Sequence, residues 1–182
     1  MRIIGIAGSL RSGSFNASLL RAAVEECPKE ATIEVESIRG VPLYDGDVEA
    51  QGFPSKVSEL KEKIAEAQAL LLVTPEYNNS IPGTFKNAID WLTRPPADVP
   101  RVFKGKPVGV IGASPGAYGT VLSQTAWLQV LRTLRTRPYH GELLYVGNAA
   151  KVFDASGKLV DETIRKRLRA YLEGFVAFIA GR

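Results

Sequence analysis

Four short, uninterrupted apolar runs constrain the fold of this chain more than any other feature. They occupy residues 3–7, 69–74, 108–113 and 143–146. Runs of this length without a polar side are typical of strands that are buried on both faces of a parallel sheet. A fifth run, 32–38, alternates instead, with Ile33 and Val35 on one side and Glu34 and Glu36 on the other. Such alternation is typical of an edge strand.

Segments with helical spacing of apolar residues separate these runs. They cover residues 17–26, 56–68, 84–92, 120–134 and 162–179. A strand followed by a helix, five times over, predicts an α/β fold with right-handed crossovers. Five strands with the alternating strand second fit the flavodoxin-like order 2-1-3-4-5, a doubly wound, five-stranded parallel sheet with helices on both faces. Without a repeat or linker, residues 1–182 are expected to form a single domain, with a surface loop at the prolines of 95–100.

The scarcity of reactive side chains limits the chemistry that this chain performs by itself. The chain has one cysteine, Cys27, and one histidine, His140. It therefore has no internal disulfide, no CxxC pair and no cysteine–histidine ligand set for zinc. No nucleophile-elbow motif accompanies His140. We therefore expect no metal site and no catalytic side chain, and we expect a cofactor to supply any difficult chemistry.

The charge and hydropathy of the chain bear on its partners. The formal charge is +4 and the pI is about 9.2, which favours anionic ligands. The basic residues are dispersed, so we expect no nucleic-acid binding. No apolar run approaches the ~20 residues of a membrane span, and the first residues lack the apolar region of a signal peptide. We expect a cytoplasmic protein that does not bind membranes.

The predicted topology gives three loops a common position. In a doubly wound sheet, ligands bind outside the carboxyl ends of the strands, at the topological switch point. For the order 2-1-3-4-5, this point lies between strands one and three. The loops after strands one, three and four should therefore line one crevice.

The first loop, GSLRSGSFN at residues 8–16, has the composition of a phosphate site. It ends at a predicted helix N-terminus, where free N–H groups and the helix dipole favour an anion. Arg11 offers a fork of donors suited to phosphate oxygens, and Gly8 and Gly13 allow the backbone to approach a ligand. The short polar donors are Ser9, Ser14 and Asn16. The alternative is a tight turn in which Asn16 is the N-cap.

The spacing of this loop indicates which phosphate it suits. Gly8 and Gly13 have the GxxxxG spacing of a P-loop, but Ser14 and Phe15 stand where Lys and Ser/Thr are required. The dinucleotide pattern GxGxxG is also absent. The loop therefore favours a single terminal phosphomonoester that is bound without a metal ion.

The second loop, TPEYNNSIPG at residues 74–83, favours a flat heterocycle. Tyr77 offers an aromatic face, and Asn78 and Asn79 offer amide groups and a backbone that takes unusual conformations. Glu76 is either an acid–base group or a solvated charge, and we favour a structural or hydrogen-bonding role for it. The alternative is a rigid turn, stiffened by prolines, that leads into a helix. The third loop, SPGAYG at residues 114–119, has two glycines and Tyr118, which could cover a ligand, but Pro-Gly is ordinary turn chemistry.

Two of these segments together carry a family resemblance. GSLRSGSFN with PEYNNSIPGTFKNAIDW resembles the NAD(P)H-dependent FMN reductases, small flavodoxin-like flavoproteins that include bacterial chromate and quinone reductases and relatives of azoreductases. The resemblance extends from Ile3 to the final helix. It implies FMN as a non-covalent cofactor and NADPH or NADH as the hydride donor.

The resemblance also implies which residues hold FMN. The phosphate would be bound by Ser9, Arg11, Ser14, Phe15 and Asn16, with Phe15 acting through its backbone N–H. The isoalloxazine edge would meet Pro75, Glu76, Tyr77 and Asn78, mostly through backbone groups, and Ser114 and Gly116 from the third loop. Asn79 stands where many relatives have an aromatic residue, so the surface facing the ring is expected to be more open here.

The activity implied is a ping-pong reaction in which hydride transfer from NAD(P)H is followed by two-electron reduction of an acceptor. Quinones, azo compounds, free flavin and chromate are the acceptors implied, and a homodimer or homotetramer is expected. One alternative is a flavodoxin-type electron carrier that does not oxidise NAD(P)H directly, although such carriers are acidic and this chain carries +4. A P-loop nucleotide-binding protein is disfavoured by the missing lysine.

Overall fold

A computed structural model describes residues 1–181, which form eight helices and six strands, with a 3₁₀ turn at Pro96–Asp98. The strands are β1 (Arg2–Ala7), β2 (Thr32–Glu36), β3 (Ala69–Val73), β4 (Pro107–Ala113), β5 (Arg137–Pro138) and β6 (Tyr145–Val146). The helices are α1 (Phe15–Glu25), α2 (Gly46–Gln51), α3 (Ser55–Glu66), α4 (Gly83–Leu92), α5 (Val99–Val102), α6 (Val121–Thr133), α7 (Ala149–Val152) and α8 (Glu162–Ile179).

The sheet has the predicted topology. Its strands pair in the order β2-β1-β3-β4-β5, all of them parallel, and β6 also pairs with β4. The order of the first three strands follows from the register that places Gly5 beside both Val35 and Leu71. The prediction of a flavodoxin-like fold with order 2-1-3-4-5 is confirmed, and the switch point lies between β1 and β3.

Two apolar cores lie on the two faces of the sheet. Because strand side chains alternate, Ile3 and Leu71 point to the face covered by α1 and α8, while Ile4 and Leu70 point to the face covered by α3, α4 and α6. Trp127 of α6 is fully buried in the second core. These uninterrupted apolar strands are buried on both sides, as expected for a parallel sheet.

The fifth strand differs from the prediction of one run at 143–146. β5 pairs with the first residues of β4, β6 pairs with its last residues, and residues 139–144 leave the sheet between them. Tyr139 still donates its N–H to the carbonyl of Val108. The segment that follows, His140 to Leu143, is exposed and polar except for Leu143, so it gains little from a place in the sheet.

The edge strand β2 has an unexpected polar side. Its alternating pattern predicts outward-facing glutamates, yet Glu36 is buried, while Val35 is 52% exposed. Helix α3 covers this part of the edge and supplies Lys56 and Lys63, both of which bond to the Glu36 carboxylate. A buried carboxylate is tolerated here because two cations neutralise it.

The helices agree with the sequence pattern where apolar spacing is strong. Helix α8 has the predicted bounds, and the other four predicted helices differ from the prediction by at most two residues at either end. The short helices α2, α5 and α7 were not predicted, and α5 begins within the proline-rich segment at 95–100 that was predicted as a loop. Within residues 1–181, each helix is too short or too polar to cross a lipid bilayer.

Candidate functional site

The three loops that follow β1, β3 and β4 meet at one cavity of about 180 Å³. Its lining residues are Ser9, Arg11, Ser14, Phe15, Asn16, Pro75, Tyr77 and Pro115. This position, outside the carboxyl ends of the strands and beside the switch point, is the one that the topology predicts for a ligand. Seven of the eleven predicted site residues line the cavity. The other four, Glu76, Asn78, Ser114 and Gly116, lie in the same loops.

The start of helix α1 offers free backbone donors to this cavity. Ser14 is the N-cap, and its Oγ accepts the N–H of Ala17 at 3.2 Å. Within residues 1–181, the N–H groups of Phe15 and Asn16 have no hydrogen-bond partner. Free N–H groups and the dipole of an eleven-residue helix favour a bound anion.

The side chain of Asn16 has a different role from the one predicted. It is buried, and its amide donates to the carbonyl of Ala113 at 2.8 Å and accepts the N–H of Ala113 at 2.9 Å. It is therefore neither the N-cap of α1, which is Ser14, nor a free donor. What Asn16 still offers a ligand is its backbone N–H.

Arg11 supplies the positive charge of the cavity. Its guanidinium donates to the carbonyl of Gly13 at 2.8 Å and lies 5.7 Å from the centre of the Phe15 ring. The N–H of Arg11 also donates to Ser9 Oγ at 3.4 Å. The side chain is exposed, and no carboxylate stands among the residues that line the cavity. The electrostatic character of the cavity is thus positive.

The two glycines of the first loop differ in their surroundings. A Cβ on Gly8 would lie 2.1 Å from Cδ1 of Phe85, so Gly8 accommodates the α4 core rather than a ligand, contrary to the prediction. A Cβ on Gly13 would meet no atom within 4 Å. Of the two, Gly13 alone leaves open space next to the loop.

The second loop forms a tight hairpin. Tyr77 and Ser80 exchange backbone hydrogen bonds of 3.1 and 3.0 Å, and Asn78 and Asn79 between them have φ values of 50° and 60°. Two successive left-handed residues define a type I′ turn, which asparagine tolerates well. The N–H of Tyr77 is used within the hairpin, whereas its side chain is 49% exposed at the cavity.

The base of the second loop is anchored to helix α6 by a buried polar network. Thr74 Oγ1 lies 2.9 Å from Ser123 Oγ, accepts the indole N–H of Trp127 at 3.1 Å, and lies 2.8 Å from the carbonyl of Pro75. All three side chains are fully buried. The sequence did not identify this network, although a threonine at the end of the apolar run 69–74 is a signal for it.

The side chain of Glu76 is also directed at α6. Its Oε2 accepts the N–H groups of Leu122 and Ser123 at 2.9 and 3.0 Å. These are two of the first three residues of the helix. The predicted hydrogen-bonding role of Glu76 is therefore confirmed, and the prediction that its backbone meets a ligand stays a prediction.

The third loop is held by its own bonds and by the segment before α7. The hydroxyl of Ser114 donates to the carbonyl of Gly119 at 2.6 Å, and the N–H of Asn148 donates to the carbonyl of Gly116 at 2.9 Å. Gly119 has a φ of 66°, which favours glycine. Tyr118 is 87% exposed. Pro115, which sequence analysis did not single out, lines the cavity.

Two further features bear on the location of the site. A larger cavity, of about 620 Å³, lies between the C-terminal halves of α4 and α6, away from the three loops. Apolar and charged side chains line it together, and it does not lie at the switch point of the sheet, so we place the functional site at the smaller cavity. Residues 1–181 contain no cluster of three or more histidine, cysteine or acidic side chains that could hold a metal ion.

Comparison with known proteins relates this geometry to a family. The sequence profile of the NADPH-dependent FMN reductases matches residues 1–151. An NAD(P)H-dependent FMN reductase of Pseudomonas aeruginosa is 41% identical over 179 residues, covering 98% of this chain and 95% of that protein. A 2-hydroxy-1,4-benzoquinone reductase of a Burkholderia species is 36% identical over 182 residues, covering 100% of this chain and 98% of that protein.

A solved structure agrees with these relatives. FerB, a flavoenzyme NAD(P)H:(acceptor) oxidoreductase from Paracoccus denitrificans, superposes with a TM-score of 0.89 at 34% identity, covering 99% of this chain and 97% of that one. The predicted resemblance is confirmed, and so is the prediction of an oxidoreductase that uses FMN and NAD(P)H. The chain belongs to the family of NADPH-dependent FMN reductases.

Proposed function

We propose that this protein holds FMN at the cavity between the three loops and passes two electrons from NADPH or NADH to small-molecule acceptors. The observation that carries the proposal is the first turn of α1, where a positive side chain and free N–H groups meet at the switch point. The turn lacks the lysine and hydroxyl that a metal-bound polyphosphate needs, and a single phosphomonoester requires neither.

The residues present fit FMN. At the phosphate end we propose contacts from Ser9, Arg11, Ser14, Phe15 and Asn16, with Phe15 and Asn16 using their backbone N–H groups. At the ring end we propose Pro75, Glu76, Tyr77, Asn78, Ser114 and Gly116. Because the N–H of Tyr77 is donated to Ser80, the contribution of Tyr77 would come from its exposed ring.

When bound, FMN supplies the redox chemistry, accepting a hydride equivalent and releasing two electrons to an acceptor. The chain binds and orients the reactants. The rigid hairpin at 77–80 fixes one edge of the site, and Tyr77 and Tyr118 present exposed aromatic surface on which a planar nicotinamide or acceptor can stack. Orientation of this kind requires no side chain that exchanges a proton.

Quinones are the acceptors that we favour. The Burkholderia relative, at 36% identity, is a 2-hydroxy-1,4-benzoquinone reductase. The exposed ring of Tyr77 at the cavity also suits a flat, apolar acceptor. Azo compounds, free flavin and chromate are the further acceptors that we propose to test. We also propose a cytoplasmic location. The chain has one cysteine and forms no internal disulfide, which fits a reducing compartment.

An absorbance spectrum of the purified protein, recorded anaerobically before and after addition of NADPH, tests the proposal. We expect the visible absorbance of a bound flavin, which NADPH bleaches within seconds and a benzoquinone restores. A flavin that NADPH reduces only very slowly would indicate an electron carrier instead. A colourless protein that also ignores added FMN would overturn the assignment of the cavity.

We also infer that the protein forms a homodimer or homotetramer. The groove between α4 and α6 is lined in part by the apolar side chains of Val99 and Val130, and Leu122 and Leu128 of α6 are 48% and 41% exposed. Apolar surface of this kind favours self-association. Sedimentation equilibrium should give a mass of two or four chains, and Val130→Glu should lower it. A monomeric wild-type protein would contradict the inference.

A further inference from the structure

The N-terminus of helix α6 lacks a cap of its own. Thr120 occupies the N-cap position but makes no capping bond with its side chain, and its Oγ1 instead accepts from the side-chain amide of Gln124 at 3.0 Å. The first turn of α6 contains no acidic residue. A helix end in this state has unsatisfied N–H groups and an uncompensated positive dipole end.

Glu76 supplies the missing cap from another loop. Its Oε2 accepts the N–H groups of both Leu122 and Ser123, which lie 46 and 47 residues further along the chain. One carboxylate thereby satisfies two helix donors and places a negative charge at the positive end of the dipole. The cap is also a cross-link, because it joins the loop after β3 to the helix after β4.

The position of this cross-link relates it to the site. Glu76 directly precedes the Tyr77–Ser80 hairpin, whereas the Thr74 network lies deeper in the core. Helix α6 begins at Val121, and only its N-cap Thr120 separates it from Gly119, the last residue of the third loop. The carboxylate of Glu76 therefore connects the second loop to helix α6, which follows the third loop. The second and third loops are the two proposed to hold the flavin ring.

We propose that Glu76 is a positioning residue that sets the separation between the second and third loops and thereby the width of the slot for the isoalloxazine ring. It acts through the first turn of α6 and does not exchange a proton with the reactants. The inference rests on the proposed FMN site and assigns to this side chain a role distinct from a backbone contact to the ring.

Two variants and a control test the inference. Glu76→Ala removes the cap, and Glu76→Gln retains an acceptor oxygen but removes the charge. Thr84→Ala is the control, since Thr84 is an exposed residue of the same region and its side chain makes no hydrogen bond within residues 1–181. Each protein is examined by amide hydrogen exchange as apoprotein, by fluorescence titration with FMN, and by its visible spectrum when saturated with FMN.

We expect Glu76→Ala to accelerate exchange in the first turn of α6 about ten-fold or more, with the core strands unchanged. We expect its dissociation constant for FMN to rise about ten-fold and the spectrum of the bound flavin to shift. Glu76→Gln should be intermediate in all three measurements, and Thr84→Ala should match the wild type. If Glu76→Ala does not fold, the intermediate behaviour of Glu76→Gln decides.

The outcomes separate this inference from the proposed function. Faster exchange in α6 with unchanged FMN affinity and spectrum would show a purely structural cap and overturn the positioning role. Unchanged exchange would overturn the cap itself. A wild-type protein that binds no FMN would overturn both the proposed function and the positioning role, whatever the variants do.

Discussion

The side-chain amide of Asn16 pairs with both backbone polar groups of Ala113, at 2.8 and 2.9 Å. The two residues are 97 positions apart in the chain, one in the first turn of α1 and the other at the end of β4. The pair therefore joins the loop after β1 to the loop after β4 across the ligand crevice. Both residues are buried, so neither backbone group of Ala113 has water as a substitute.

Replacing Asn16 should therefore cost stability. Asn16→Ala leaves a buried N–H and a buried carbonyl unpaired, which should lower the free energy of unfolding by about 2–6 kcal/mol, at roughly 1–3 kcal/mol for each unsatisfied group. Urea denaturation measures the change. Ser12→Ala, an exposed position in the same loop, is the control and should have little effect. Equal stability of the two variants would show that the pair contributes nothing.

Arg11 should govern the affinity for FMN. A charge-assisted bond to a phosphate contributes about 1.5–3 kcal/mol, so Arg11→Ala should weaken FMN binding about ten-fold or more. Arg11→Lys should lose part of this, because an ammonium lacks the fork geometry of a guanidinium. Fluorescence titration of the apoprotein gives the affinities. Arg132→Ala removes an exposed cation from α6 and controls for net charge. Unchanged affinity in Arg11→Ala would contradict the assignment of the first loop.

The fold was predictable from the sequence because its signals are local and repeated. The apolar runs at 3–7, 69–74 and 108–113 became β1, β3 and β4 within a residue or so, since burial on both faces demands continuous apolar sequence. The divided fifth strand was not predictable in this way. Its pairing depends on how residues 139–144 leave the edge of the sheet. The run of four apolar residues at 143–146 does not predict where the chain leaves the sheet or where it returns.

The site was predictable at the level of its loops and less so at the level of single side chains. The composition of 8–16 and 74–83 identified the cavity, because donors, glycines and prolines cluster where a strand ends. The pairing of Asn16 with Ala113 and the cap that Glu76 provides for α6 are contacts between distant segments. A polar residue in a loop signals that it needs a partner but does not say which one, so these roles required the structure.

Stability in acid should depend on Glu26, whose side chain is 7% exposed and bonds to Arg165 and Arg169 of α8. Burial raises the pKa of Glu26, but the bonds from Arg169 and Arg165 outweigh it, so the pKa lies below its ordinary value of 4.5. A carboxyl with a pKa lowered by folding contributes stability above its unfolded pKa and loses that contribution as the pH falls through the folded one.

Glu26→Gln should accordingly destabilise the protein by about 1.5–3 kcal/mol at pH 7, the range for hydrogen bonds to charged groups. The difference from the wild type should shrink as the pH falls below about 4. Urea denaturation at a series of pH values measures it. Glu25→Gln, an exposed neighbour without a hydrogen bond in the described part of the chain, is the matched control. A difference that stays constant down to pH 3 would exclude Glu26 as the titrating group.

The hairpin at 77–80 should respond to backbone preference. Asn79 has a φ of 60°, a conformation that costs a β-branched residue about 1–2 kcal/mol and glycine almost nothing. Asn79→Val should therefore lower the free energy of unfolding by that amount, and Asn79→Gly should leave it nearly unchanged. Urea denaturation distinguishes the two. If both variants were equally stable, the turn would not hold its left-handed conformation in solution.

Alanine substitutions at the two glycines of the first loop should affect different properties: one the stability of the fold, the other FMN binding. A Cβ on Gly8 would lie 2.1 Å from a ring carbon of Phe85, whose side chain is fully buried, so Gly8→Ala requires the core of α4 to shift. Such overpacking costs typically about 1–3 kcal/mol of unfolding free energy. A Cβ on Gly13 would meet nothing within 4 Å, so Gly13→Ala should change stability by less than about 0.5 kcal/mol.

For FMN binding, we expect the substitution at Gly13, which leaves stability unchanged, to have a clear effect. Gly13 directly precedes Ser14, the N-cap of α1, and a Cβ there would meet open space, so an added methyl group would obstruct a ligand at the proposed phosphate site but not the fold. We expect Gly13→Ala to retain the wild-type urea midpoint and to bind FMN several-fold more weakly, while Gly8→Ala lowers the midpoint. If Gly13→Ala binds FMN as tightly as the wild type, the phosphate does not approach the loop at this residue, and its contacts lie closer to Ser14.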